Sequence, residues 1–233
     1  MSHQRKTKFL QREEQILYTA EQLLLDSGEY NLTLDALANH LDLAKGTLYK
    51  HFSSKDELLM RVLTSYEKRL LAINRIDDSA GAGVARMVLW QLYYPQRATV
   101  FALLVEKLAG TASGLGKSFN QLYQIRRERM NVIQDTVERY LREQNSSLDI
   151  RDYLVMIWSA GFGGAGLLNS SFYQRYLGDR GSLKYALVLQ ILDLPKLYVV
   201  APALPAPPDE PSPPKEPISF EPKLLKPLTP PKV

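Results

Sequence analysis

The chain has no cysteine among its 233 residues, and only three histidines. The absence of cysteine excludes disulfide bonds and thiolate metal sites. Neither His40 nor His51 has a second ligand at metal-binding spacing, so we expect no metal and no cofactor. The N-terminal segment MSHQRKTKFLQREEQ also lacks the apolar stretch of a secretory signal. These absences predict a cytoplasmic protein.

Proline is nearly absent from most of the chain. Pro95 lies alone in the first 194 residues, and the other thirteen prolines lie from Pro195 onward. A run such as PALPAPPDEPSPPKEP cannot form helices or central strands and favours extended polyproline II conformations. We interpret residues 197–233 as a proline-rich tail that is either disordered or packed through its scattered apolar side chains on its own or a partner subunit.

Patterns typical of β-strands are absent as well. Apolar residues recur instead at helical spacing, which predicts an all-α fold. The glycine-rich segment 77–83 predicts a boundary between an N-terminal domain, residues 1–75, and a larger helical domain, residues 76–196. The predicted helices span about 9–27, 54–74, 84–94, 96–109, 117–144, 149–172 and 181–194, besides two short helices within 33–52.

The net charge of +4 does not by itself indicate a nucleic-acid partner. The distribution of charge is more informative, because residues 1–12 carry basic side chains and no acid. We expect Arg5, Lys6 and Lys8 to precede the first helix and to contact the phosphate backbone or an adjacent minor groove.

Residues 33–58 are the most informative segment. Leu34, Leu37, Ala38 and Leu41 form the apolar stripe of a short helix, with Thr33 as its N-cap. A turn and a second short helix follow, in which Leu48 and Phe52 share one face and Gly46 permits close approach of a backbone or phosphate. The side chains that project elsewhere are Lys45, Thr47, Tyr49, Lys50 and His51. A basic, aromatic helix of this kind fits a DNA major groove.

This segment resembles the helix-turn-helix of the TetR family of bacterial transcriptional regulators, here at about residues 33–52. Ser54 and Glu57 add an S-x-x-E capping box for the next helix. The chain departs from the family pattern at Asp42, where a turn glycine is common, and at Ala44, where a serine commonly caps the recognition helix. The residues that match are Thr33, Leu37, Ala38, Ala44, Gly46, Thr47, Leu48, Tyr49, His51, Phe52, Ser54, Lys55, Asp56 and Leu58.

The resemblance implies a ligand-responsive regulator, usually a repressor, that binds a palindromic double-stranded DNA operator as a homodimer and is not an enzyme. It places Lys45, Gly46, Thr47, Tyr49, Lys50 and His51 in the groove, and it assigns phosphate contacts to Thr33, Tyr49 and Lys55. Base contacts specify the sequence, whereas phosphate contacts position the protein.

Aromatic side chains in the second half are suited to lining a pocket for an apolar or aromatic small-molecule effector. They lie near Pro95, which interrupts a helix, or on the later helix 149–172. The residues predicted to line this pocket are Trp90, Tyr93, Tyr94, Phe101, Trp158 and Phe162.

Helices 149–172 and 181–194 are predicted to form a two-fold, four-helix dimer interface. Small residues on the first of them would let helix axes come close: Ala160, Gly161, Gly163, Gly164 and Gly166. Residues 153–174 carry no charge, but their serines, asparagine and glycines argue against a membrane helix.

Two alternatives remain. Residues 161–166, GFGGAG, fit G-x-G-x-x-G, and residues 111–118 nearly fit a phosphate-binding loop, which would suit a nucleotide-dependent enzyme; both lack the flanking strand that such sites require. The other alternative is a protein-interaction module that uses the proline-rich tail. Both leave the first 60 residues unexplained.

Overall fold

The computed structural model describes residues 3–111 and 116–197. These residues form helices and connecting turns without a strand, so the predicted all-α fold is confirmed. The proline-rich tail and the centre of the 111–118 motif lie outside the described residues. The helices are α1 His3–Asn31, α2 Leu34–His40, α3 Lys45–His51, α4 Lys55–Asn74, α5 Ala80–Tyr93, α6 Pro95–Thr111, α7 Gly116–Glu143, α8 Ile150–Asn169 and α9 Arg180–Leu197, with a 3-10 turn at Tyr173–Arg175.

The first helix begins earlier than predicted. Because no glycine or proline interrupts the basic N-terminal segment, α1 already starts at His3, and Arg5, Lys6 and Lys8 lie on its first turns instead of preceding it. The predicted break at Gly28 is present, with a left-handed φ of 75° that favours glycine. One further helical turn follows and ends at Asn31.

The turn between α2 and α3 forms without a glycine. Thr33 caps α2, since its Oγ1 accepts a hydrogen bond from the Ala36 N–H at 3.0 Å. Asp42 adopts a left-handed φ of 51°, a conformation that aspartate tolerates. Ala44 gives α3 no side-chain cap. The position of α3 therefore depends on its buried Leu48 and on Phe52 just after it.

The capping box at the start of α4 is shifted by one residue. The Ser54 Oγ accepts from the Glu57 N–H at 3.1 Å, as the motif predicts. The Glu57 carboxylate, however, accepts from the N–H and hydroxyl of Ser53 instead of from Ser54. Partial burial would raise the pKa of Glu57, but the bonds from Ser53 outweigh it and the pKa is lowered.

Two apolar cores hold the helices together. The first joins α1–α4 to buried side chains of α6 and α7, including Phe101, Leu104 and Leu122. The second joins α5, α7, α8 and α9. Because α6 contributes to the first core, the described helices form one compact unit. The division at residue 75 stays a prediction.

The glycine-rich segment 77–83 is partly helical. The Ser79 hydroxyl accepts from the Ala82 N–H at 3.2 Å and caps α5, so the helix starts at Ala80 and not at the predicted residue 84. A Cβ on Gly83 would lie 2.7 Å from a methyl group of Thr136 on α7. This glycine therefore serves close helix packing, a role that composition alone does not separate from that of a linker.

Residues 161–166 lie inside α8, so they do not form the phosphate-binding loop of the enzyme alternative. A Cβ on Gly164 would lie 2.5 Å from Leu92 and 2.7 Å from Leu187, and one on Gly161 would lie 2.7 Å from Gln91. Gly161 and Gly164 therefore pack α8 against α5 and α9 of the same chain. Their predicted place in a dimer surface is wrong.

Candidate DNA-binding surface and ligand cavity

The outer face of α3 brings together most of the predicted groove residues. Lys45, Gly46, Tyr49 and Lys50 are exposed, and residues separated by four positions share one helical face. The Tyr49 side chain is 55% exposed, whereas Leu48 on the opposite face is fully buried. Thr47 lies half-buried beside this face. The helix therefore has an anchored side and a polar, basic side.

His51 does not belong to this face, contrary to prediction. Its ring is buried and stacks on Phe9 of α1, with ring centroids 3.9 Å apart. Its Nδ1 lies 3.6 Å from a carboxylate oxygen of Glu13. The physical reason is its spacing of three residues from Leu48, which places both side chains on the inner face. His51 thus fixes the end of α3 against α1.

Two predicted DNA contacts already have partners within the chain. Lys45 donates a hydrogen bond to the Asp35 carboxylate at 2.6 Å, and this bond raises the pKa of Lys45. Both side chains of this pair are more than half exposed, and such pairs contribute little to stability. Lys55 donates to the main-chain carbonyl of Glu29 at 2.6 Å, which ties the start of α4 to the end of α1.

Other residues predicted to contact DNA are exposed in the structure. Arg5 and Lys6 lie exposed on the first turns of α1, and Thr33 lies exposed at the start of α2. The Thr33 hydroxyl accepts the cap bond from Ala36 but can still donate its own proton.

A buried carboxylate that the sequence did not reveal links the helix-turn-helix to α6. Glu21 of α1 is almost fully buried. Its two oxygens lie 2.5 Å from Arg69 of α4 and 3.0 Å from Arg97 of α6. Glu29, near the end of α1, likewise pairs with Lys107 of α6. The first helix is therefore bonded to both α4 and α6.

A cavity of about 480 Å³ lies among α4–α8. This volume is within the range of small-molecule sites. Four of the six predicted ligand residues line it: Trp90, Phe101, Trp158 and Phe162. The full lining is Leu63, Tyr66, Glu67, Leu70, Ile73, Asn74, Arg86, Met87, Trp90, Gln91, Ala98, Phe101, Ala102, Leu103, Val105, Glu106, Arg126, Arg129, Ile133, Trp158 and Phe162.

Tyr93 and Tyr94 do not line this cavity. They lie in a shallow outer cleft with Leu89, because they stand at the exposed C-terminal end of α5, beyond the residues of that helix that line the cavity. Arg86 and Trp90 line both spaces and so separate the cleft from the cavity.

The cavity wall also contains a buried charged cluster. Glu67 of α4 is 3% exposed. Its Oε1 accepts from Nε of Arg126 at 2.9 Å, and its Oε2 lies 2.7 Å from Nε of Arg129. Beside it, Tyr66 stacks on Phe101 at 4.1 Å, and burial raises the pKa of Tyr66. This part of the cavity wall thus combines aromatic surface with one buried carboxylate and two guanidinium groups from α7.

The described residues contain no group of three or more histidine, cysteine, aspartate or glutamate side chains placed to hold a metal ion. No helix within 3–111 or 116–197 is long and apolar enough to cross a membrane.

The chain was compared with known proteins. Residues 16–62 match the family of bacterial regulatory proteins of the tetR family. A search of curated proteins found no match.

Solved structures share the fold at low sequence identity. A bacterial regulatory protein of the tetR family from Rhodococcus RHA1 has a TM-score of 0.60 at 21% identity, over 78% of this chain and 96% of that one. The fatty acid degradation regulator FadR from Bacillus halodurans has a TM-score of 0.57 at 16% identity, over 78% and 94%. FadR from Bacillus subtilis, in complex with stearoyl-CoA, has a TM-score of 0.51 at 14% identity, over 79% and 99%.

At these sequence identities the solved structures show the fold alone. The family match covers residues 16–62, which run from α1 into α4 and include the exposed face of α3. Members of the family are DNA-binding regulators and not enzymes. The chain therefore carries, at residues 16–62, the helix-turn-helix DNA-binding domain of the TetR family of bacterial regulatory proteins.

Proposed function

We propose that the protein is a ligand-responsive transcriptional repressor. It binds a palindromic operator as a homodimer and leaves the DNA when a small apolar or aromatic effector binds. The observation that carries this proposal is the outer face of α3, where Lys45, Gly46, Tyr49 and Lys50 lie exposed while Leu48 is buried. A helix anchored on one side and polar on the other suits the major groove. We place this activity in the cytoplasm, where bacterial DNA is found.

The side chains divide by role. Lys45, Thr47 and Lys50 face base edges, and Tyr49 and Thr33 donate their hydroxyl protons to phosphate oxygens. The exposed pair that Lys45 forms with an aspartate costs little to exchange for a contact with DNA.

Basic side chains outside α3 add phosphate contacts. Lys55 donates one of its three ammonium protons to the Glu29 carbonyl and lies 3.6 Å from the Glu29 carboxylate, and its remaining N–H groups can donate to a phosphate. Arg5 and Lys6 extend the basic surface along α1 and contribute an electrostatic attraction that does not depend on sequence.

Dimer formation is supported by apolar side chains left exposed on α8 and α9. Val155 and Phe162 are exposed on α8, and Tyr185 and Leu189 are exposed on α9. Exposed apolar surface of this kind marks interaction sites. Of the small residues predicted for the interface, Gly163 and Gly166 have open space around their missing Cβ atoms, and Ala160 is partly buried against the second core. A two-fold interface here matches the symmetry of a palindromic operator.

The effector response is supported by the walls of the cavity. Tyr66 of α4 and Phe101 of α6 line it, and the carboxylate of Glu21 bonds both helices to α1. A ligand that moves α4 or α6 would therefore move the helix-turn-helix. It must bind the DNA-free arrangement more tightly than the DNA-bound one, because equal affinity for both shifts nothing.

The test of DNA binding is fluorescence anisotropy with labelled duplex DNA over a range of salt concentrations. The wild-type chain is expected to bind with a strong salt dependence, and Lys50→Ala should weaken binding because it removes a contact with base edges.

Lys68→Ala is the matched control. Lys68 is exposed on α4, about 20 Å along the helix axis from Lys55. Its loss removes the same charge from a position distant from α3 and should leave DNA affinity unchanged. Absence of DNA binding at low salt, or equal losses in both variants, would contradict the proposal.

A further inference from the structure

The charged cluster on the cavity wall carries a surplus positive charge. Glu67 contributes one negative charge, and Arg126 and Arg129 contribute two positive charges. Both arginines approach Glu67 through Nε, and within the described residues the terminal nitrogens of neither arginine donate a hydrogen bond. The two side chains are 34% and 22% exposed. Their planar N–H groups are therefore available to an additional acceptor.

The other charged groups on the wall form no ion pair with this cluster within the described residues. Arg86 pairs at 2.7 Å with Asp78, which lies outside the cavity, and one of its terminal nitrogens is buried without a partner. Glu106 of α6 is the second acid of the lining and is exposed. The lining thus holds three arginines and two glutamates, with two of the arginines held together at the buried acid.

The rest of the wall favours a flat apolar body. Trp90, Phe101, Trp158 and Phe162 contribute aromatic surface. The volume of about 480 Å³ lies in the lower part of the range for small-molecule sites. It suits a fused ring system or a chain of similar size.

Resting on the proposed function, we infer that the effector is an amphipathic carboxylate. Its flat apolar body lies against the aromatic side chains, and its carboxylate binds the terminal nitrogens of Arg126 and Arg129. A guanidinium group matches the geometry of a carboxylate with two parallel hydrogen bonds.

The same observations disfavour the other ligand classes. A neutral ligand would remove water from the guanidinium groups and supply no negative charge in return. A cation would find aromatic rings, but the nearest buried carboxylate is already covered by two arginines.

The test is isothermal titration calorimetry of the full chain with three probes that share one ring system. The probes are 2-naphthoate, 2-naphthamide and 2-naphthylmethylammonium. We expect 2-naphthoate to bind at least about tenfold more tightly than either of the others, a difference that one additional charged contact supplies. Equal or tighter binding of the amide or the ammonium, or no binding of any probe, overturns the inference.

Variants separate this site from a general effect of charge. Arg129→Gln should lower the affinity for 2-naphthoate to that for 2-naphthamide. Arg142→Gln removes the same charge from an exposed position on the same helix, outside the cavity, and should have no effect. Glu67→Gln should increase the affinity for 2-naphthoate, because the net charge of the cluster formed by residue 67 and the two arginines rises from plus one to plus two.

Equal losses in the two arginine variants, or weaker carboxylate binding by Glu67→Gln, overturn the inference. Circular dichroism melting shows whether each variant folds. If Glu67→Gln does not fold, the effect of Arg129→Gln on 2-naphthoate binding decides the test. DNA affinity is measured separately without any probe. Failure to bind DNA contradicts the proposed function and leaves the ligand preference standing, whereas loss of the carboxylate preference with intact DNA binding contradicts the inference alone.

Discussion

Replacing Gly46 by alanine should stabilise the free protein and weaken its binding to DNA. A Cβ on Gly46 would have no atom within 4 Å, and its φ lies outside the left-handed region. The fold therefore does not require glycine at this position. Glycine within a helix is less favourable than alanine by roughly 0.5–1 kcal/mol. In a chain of this size such a gain raises the melting temperature by about 1–4 °C.

The same methyl group should interfere with DNA. Gly46 lies on the exposed face of α3 beside Lys45 and Lys50, where the proposal places the phosphate backbone and base edges. Forcing one extra methyl group into a close-packed interface costs roughly 1–3 kcal/mol. The affinity of Gly46→Ala for operator DNA should therefore fall by about tenfold or more, as measured by fluorescence anisotropy.

Gly116→Ala is the matched control. Gly116 is the first residue of α7 and also has open space around its missing Cβ. This variant should keep the DNA affinity of the wild-type chain. A lower melting temperature in Gly46→Ala would show that the glycine serves the fold, and an unchanged DNA affinity would show that α3 does not approach DNA at this point.

Four further variants test the packing of α8, the cap of α4 and the ligand cavity. Gly164→Leu should lower the free energy of unfolding by roughly 1–3 kcal/mol or more by overpacking, whereas Gly163→Asp, in open space on α8, should split the dimer in sedimentation without loss of helix. Glu57→Gln should lower the free energy of unfolding by up to about 1 kcal/mol at pH 7. Because bonds from Ser53 hold the pKa of Glu57 below 4.5, that difference should disappear in urea titrations as the pH falls from 4.5 through the lowered pKa. Trp90→Ala should weaken calorimetric binding of 2-naphthoate severalfold and leave DNA affinity in its absence unchanged.

For each of these predictions there is one result that would contradict it. A dimeric Gly163→Asp chain would place the interface away from this face of α8, and a fully stable Gly164→Leu chain would contradict the tight contact with α5 and α9. A difference between Glu57→Gln and the wild-type chain that persists at low pH would assign the effect to packing. Unchanged probe binding by Trp90→Ala would exclude this residue from the ligand site.

The short helices of the DNA-binding domain could be predicted because their determinants are local. Thr33 caps α2, and Leu48 and Phe52 follow helical spacing. The spacing of His51 from Leu48 indicates the inner face of α3, whereas the family resemblance alone suggested the outer face. Tyr93 and Tyr94 follow Trp90 at helical spacing, but they stand at the exposed end of α5, beyond the residues of that helix that line the cavity.

Long-range features could not be predicted from local patterns. Glu21 and Glu67 look like ordinary surface acids in the sequence, yet both are buried. Their arginine partners come from helices far along the chain, so pairing is decided by the packing of α1, α4, α6 and α7. The role of Gly83 could not be predicted either, because the need for glycine there comes from close packing against Thr136 on another helix.

The most direct test of the proposed function is selection of bound sequences from a random duplex DNA library by the full chain, repeated with Lys50→Ala. The wild-type chain should enrich two related half-sites with two-fold symmetry, their centres separated by about one helical turn or a multiple of it. Lys50→Ala should lose much of the base preference within each half-site, because Lys50 lies exposed on the outer face of α3, where the proposal places base edges. No enriched sequence, or the same enrichment with both chains, would contradict sequence-specific DNA binding through this helix.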